Sequence, residues 1–185
     1  MSNPSQSLAQ SEAALLRNDL PTAERLARQS LDQDPARANT LLGMVFARRG
    51  EPLSAIEAFD QALAIDNAIV PAWIARGQAL AALHRMDDAV ESARQAASLE
   101  PTDPETVSFL AVLLSQAARN HEAVDVLRGL AEHHPNDVRV LDNLARSLRS
   151  IGDEHGAKQT WQRAALLPGV RAGLLLSLGQ LQLAH

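Results

Sequence analysis

Small and apolar side chains recur along this chain with two periods. The shorter is helical. Within residues 70–103, Trp73, Gly77 and Leu80 share one stripe and Ala89, Ala93, Ala96 and Ala97 share another, a spacing that predicts two amphipathic helices. Arg85 and Asp87 fall in the polar break between them, and Pro101 stops the second helix because it cannot donate into it. The longer period is 34 residues. It spaces Ala55, Ala89, Ala123 and Ala157; Asn67, Pro101, Pro135 and Gly169; and Gly43, Gly77, Ala111, Ala145 and Gly179. Three such series in register predict one helix pair used repeatedly.

The first unit is offset. Ala23 to Ala55 and Pro35 to Asn67 are each 32 residues apart, which predicts a loop two residues short after Pro35. The first helix is expected from about Gln6 to Arg17, with turn chemistry at Asn18 and Asp19. Its partner is expected from Pro21 to about Gln33, Pro suiting a first turn. Residues 1–5 are expected to be disordered, 6–171 to form five helix pairs, and 172–185 a single C-terminal helix. The expectation is all-α, with eleven helices. Small residues such as Gly77, Ala89 and Ala96 let paired helices cross at about 8–10 Å. Phe59, Leu80, Leu127 and Trp161 are large enough to fill the spaces between units.

Composition narrows the picture. Hydrophobic residues make up 46% of the chain but aromatics only 3%, so the apolar mass is mostly Ala and Leu, strong helix formers. A net charge of -5 argues against a nucleic-acid binder, which would show a basic face. The absence of Cys excludes disulfides and thiolate chemistry. Met1–Gln10 shows no basic start and no apolar core, and no stretch reaches the length of a membrane span. A cytoplasmic location is the expectation. All the basic residues but Lys158 are Arg, a bias of GC-rich bacterial genes.

Trp73, Gly77, Ala89, Ala96 and Pro101 fit the pattern W-x2-L-G-x2-Y, Ala, Ala, Pro, and Leu42-Gly43, Leu110-Ala111, Leu144-Ala145 and Leu178-Gly179 fit its central pair. On these residues the sequence resembles a tetratricopeptide repeat protein over about 6–184. Arg76 stands where Leu is usual, Leu80 where Tyr is usual and Asn67 where Pro is usual. Arg76 is expected to send its charge to solvent along its own stem. The resemblance implies a right-handed superhelical solenoid of antiparallel helix pairs whose first helices line a concave groove. It implies a non-catalytic scaffold that binds a peptide or partner protein without a cofactor. The alternative it implies is the N-terminal, substrate-positioning array of a larger enzyme of glycosyltransferase, sulfotransferase or hydroxylase type.

Projecting the first helices gives the expected groove: Leu41, Met44 and Arg48; Ile74, Gln78 and Ala81; Ser108, Phe109 and Val112; and Arg139, Asp142, Asn143, Arg146 and Arg149. Its middle is apolar, which suits apolar anchors of a peptide and opposes RNA. Arg139, Asn143, Arg146 and Arg149 share one stripe. It reads as a basic end for a carboxylate or, more plainly, as a solvated face with Asp142 and Arg146 paired at i, i+4. The histidines are scattered, so no metal site is expected. The segment Ala172–Ala184 is apolar all round, with Leu174, Leu175, Leu176, Leu178, Leu181 and Leu183. That predicts a cut-short sixth repeat or a homodimer through 172–185.

Overall fold

The computed structural model describes residues 4–167. These form ten helices and no strand: α1 (Pro4–Leu16), α2 (Leu20–Gln29), α3 (Pro35–Arg48), α4 (Pro52–Ile65), α5 (Val70–Ala82), α6 (Met86–Leu99), α7 (Pro104–Gln116), α8 (Asn120–His133), α9 (Val138–Ser150) and α10 (Glu154–Ala165). The expected eleventh helix, and with it the sixth repeat and the homodimer face, lies outside the described residues. Consecutive helices pack as pairs, α1 on α2 through α9 on α10. The chain divides into two compact units, the first ending at Leu99 and the second beginning at Glu100. In the first, α3 packs on α2 and α5 on α4; in the second, α9 packs on α8. First helices of successive pairs also touch, α1 with α3, α3 with α5 and α7 with α9.

Local chemistry sets the helix ends. Pro occupies the first turn of α2, α3, α4, α5 and α7, where its missing N–H costs nothing. Asp19, Asp34, Asp103, Asp137 and Asp153 cap α2, α3, α7, α9 and α10 by accepting backbone N–H bonds. Each first helix leaves through a left-handed residue: Asn18, Gly50, His84, Ala118 and Gly152, with φ between 57° and 82°. In all five turns the next residue's N–H reaches back five positions, from Asp19 to Ala14, Glu51 to Phe46, Arg85 to Leu80, Arg119 to Leu114 and Asp153 to Leu148. This is the Schellman pattern, which satisfies carbonyls the helix end would otherwise orphan. It forms a fourth series on the same register.

The 34-residue series is a series of buried contacts. Ala23, Ala55, Ala89, Ala123 and Ala157 are all 0% exposed. Phe59, Leu80, Leu127 and Trp161 are fully buried, as expected of space-filling residues. Gly43 shows why one position needs a small residue. A Cβ there would stand 2.5 Å from Cε1 of Phe59.

Three expectations change. α1 starts at Pro4 rather than Gln6. The short first unit is short in a helix, not in a loop: α2 has 10 residues where α4 has 14, and ends at Gln29 instead of Gln33. There the buried Ser30 hydroxyl turns back to the Leu26 carbonyl, and a tight turn leads to Asp34. Arg76 does not release its charge to water. Its Nε donates to Asp60 on α4 at 2.6 Å, its Nη1 donates to the buried Ser92 on α6 at 2.6 Å, and its guanidinium lies 5.8 Å from the Trp73 ring centroid. The Arg that replaces Leu therefore ties α5 to its neighbours on both sides.

Candidate functional site, a cleft between α7 and α9

Within the second unit, α7 and α9 flank an open cleft of about 420 Å³. Its lining alternates by helix. α7 contributes Ser108, Ala111, Val112, Ser115 and Gln116; α9 contributes Asn143, Arg146, Ser147 and Ser150; Leu127 reaches in from α8. Leu127 and Ala111 are buried and form an apolar floor, while Val112 stands on the wall at 47% exposure. Around it are hydroxyls and amides. Ser115 and Gln116 are exposed and Ser108 and Asn143 half-buried, none of them in a side-chain hydrogen bond among the described residues. Ser150 donates to the Ser147 carbonyl.

One edge of the cleft is charged and held. Asp142 accepts from the buried Trp161 indole N–H through one oxygen at 2.8 Å and from Arg146 Nε through the other at 2.9 Å. The expected i, i+4 pair thus exists, and it fixes Arg146 by its Nε while its terminal nitrogens stay at the cleft edge. The other basic candidates turn elsewhere. Arg149 covers the Trp161 ring at 5.3 Å. Arg139 is exposed beside Asp137. Phe109 is half-buried and does not line the cleft.

In the first unit the candidates divide. Leu41 is a correction: it is only 3% exposed, packed with Leu8, Leu15, Leu42 and Val45. The projection treated each first helix as bare on its groove side, but α1 packs against α3 and covers that flank. Met44 is half-buried against the same cluster. Arg48 is exposed and donates to the Leu15 carbonyl at the end of α1. Ile74 and Ala81 are half-buried and Gln78 is exposed.

Sequence profiles of the tetratricopeptide repeat family match residues 36–69 and 80–148, together more than half the chain. The chain is a tetratricopeptide repeat protein. Solved structures with a similar fold include PilF of Pseudomonas aeruginosa, with a TM-score of 0.78 at 23% identity over 98% of this chain and 83% of that one. YrrB, described as a TPR protein with an unusual peptide-binding site, has a TM-score of 0.74 at 18% identity, covering 94% of this chain and 90% of its own. MamA has a TM-score of 0.72 at 16% identity, covering 87% and 89%. At such identities the likeness shows the fold alone. No curated protein matches the sequence.

Within this tetratricopeptide repeat chain, sequence reasoning missed Ser115, Gln116, Ser147 and Ser150. The first two sit one turn beyond Val112, and Ser150 one turn beyond Arg146. Extending each predicted stripe by a turn would have reached them. Among the described residues no group of His, Asp or Glu is placed to hold a metal ion, and no helix is long and apolar enough to cross a membrane.

Proposed function

We propose that this tetratricopeptide repeat chain is a non-catalytic scaffold that seats a segment of a partner protein in the α7–α9 cleft. The observation that carries this reading is the lining. An apolar floor and the exposed Val112 offer a place for an apolar anchor, and unpartnered Ser, Gln and Asn side chains offer pairing for the segment's backbone. Arg146, held by Asp142, offers its remaining nitrogens to an acidic side chain or carboxylate. The peptide-binding description of YrrB, which shares the fold, lends the same reading support by analogy.

The test starts from random displayed peptides selected on the purified chain. Val112→Glu and Asn143→Ala should each weaken the selected peptides by about tenfold or more, since hot-spot losses exceed about 1 kcal/mol. Leu53→Glu, at another exposed apolar residue on α4, should leave them bound. Peptides that survive both cleft substitutions would remove the cleft from the account.

A further inference from the structure

A second surface stands apart from that cleft, in the first unit. Pro21, Glu24, Arg25, Arg28 and Gln29 lie along α2, and Arg49 faces them from the end of α3, around a shallow groove of about 490 Å³. Three guanidinium groups share it with one carboxylate. Glu24 is the hub: one oxygen takes Arg28 at 2.8 Å and the other takes Arg49 at 2.5 Å. Hydrogen bonding from Arg28, then from Arg49, lowers its pKa against the opposing effect of burial. Arg25 bonds the Gln29 side chain through Nη1 alone. The groove keeps a local charge of about +2 on a chain whose net charge is -5.

We propose that this α2–Arg49 groove docks an acidic segment of a partner protein. Guanidinium groups pair with carboxylates in forked geometry. Arg25, Arg28 and Arg49 each keep nitrogens beyond those engaged above, and they are spaced around the groove. That spacing suits separate single carboxylates. A phosphate would concentrate about two negative charges beside the Glu24 carboxylate, and a nucleic acid needs a basic face longer than three arginines around one groove. Pro21 and the arginine stems add apolar area for the segment's backbone to lie on.

The experiment uses a fluorescein-labelled oligo-aspartate peptide, read by fluorescence anisotropy at low salt on the full chain. Binding to the native chain is expected, and Arg25→Gln with Arg28→Gln should weaken it by about tenfold or more, from the loss of charge-assisted hydrogen bonds. Arg128→Gln, at the register position of Arg28 in α8, removes a like charge elsewhere and should change nothing. Glu24→Gln should tighten binding by releasing Arg28 and Arg49, and by more than Glu132→Gln, which removes the same charge from an exposed site on α8 and so reads the non-specific part of the gain. Equal losses from Arg128→Gln and the double variant would overturn the proposal, as would displacement of the peptide by inorganic phosphate or single-stranded RNA at matched charge. These variants lie outside the α7–α9 cleft, so peptides selected on the cleft should bind them unchanged. The two readings therefore fail separately.

Discussion

Gly43→Ala and Gly129→Ala are the same chemical change in two helices, and they should move stability in opposite directions. At Gly43 the new Cβ would stand 2.5, 2.6 and 2.9 Å from Cε1, Cδ1 and Cζ of Phe59. Carbon atoms rest at about 3.5–4.0 Å, so the ring must retreat by roughly 1 Å. Phe59 is 0% exposed and has no solvent to retreat into. Such overpacking costs about 1–3 kcal/mol, against which Ala returns about 1 kcal/mol of helix propensity. A net loss of up to about 2 kcal/mol follows. Gly129 lies inside α8 with nothing within 4 Å of an added Cβ, so only the gain of about 1 kcal/mol remains. Urea unfolding followed by far-UV circular dichroism measures both. Hydrogen exchange of the α3 amides locates the Gly43 effect, since each repeat depends on its neighbours. Phe59→Leu should relieve Gly43→Ala, because Ala111 and Leu127 occupy the corresponding positions two repeats later. A Gly43→Ala chain stabilised as much as the Gly129→Ala chain would refute the close packing of Gly43 on Phe59.

Two further outcomes follow from the helix ends. Ala118 adopts φ 58° where Gly50 and Gly152 serve in other repeats, so Ala118→Gly should raise stability by about 0.5–1 kcal/mol in the same urea assay, relief of the left-handed conformation exceeding the entropy cost of Gly. Asp103 caps α7, and bonds from the Thr106 backbone N–H, then its side chain, lower the carboxyl pKa below the ordinary 3.8. Its stabilisation is therefore complete above that value and lost as pH falls through the lowered one. Asp103→Ala should cost about 1 kcal/mol at neutral pH, and the gap between variant and native chain should close in acid; a gap that persists there would remove the ionised cap from the account.

The fold was legible because its determinants repeat. Ala55, Ala89, Ala123 and Ala157 could be read as one contact seen four times, and all four are buried. The left-handed turn series escaped because Asn, Gly, His and Ala hold the same φ; backbone geometry, not residue type, is what recurs there. The candidate site was legible only in part. Ser108, Val112, Asn143 and Arg146 come together because they lie on facing flanks of α7 and α9. Leu41, Arg139 and Arg149 do not join a site, and for a common reason. A helical projection knows the face of its own helix but not what lies beside it: α1 covers Leu41, the cap Asp137 pairs with the exposed Arg139, and the Trp161 ring draws Arg149 over itself. Arg76 escaped for the same reason, since its partners Asp60 and Ser92 come from other helices.

The period also sharpens the case for the α2 groove. Every repeat interface faces one packing problem, so residues that hold the stack recur, while residues that serve a partner have no reason to. Glu24 has Ile56, Val90 and Val124 as its counterparts in the next three repeats, each buried. Arg49 has Leu83, Ala117 and Ile151 in the three that follow it. The first interface thus carries an ion pair where the same positions hold Ile56 and Leu83 later in the first unit and Val124 and Ile151 in the second, Lys158 being the one charged counterpart of Glu24. A partly exposed pair contributes about 0–1 kcal/mol, whereas burying one Val or Ile side chain is worth about 1.5–3 kcal/mol. Packing alone would favour the apolar choice, so the charges at 24 and 49 point to a second demand on this surface. Glu24→Ile with Arg49→Leu should therefore raise stability by about 1–2 kcal/mol and weaken the acidic peptide. Urea unfolding and anisotropy on one preparation read both effects. A double variant less stable than the native chain would show that Glu24 and Arg49 are there for the stack after all.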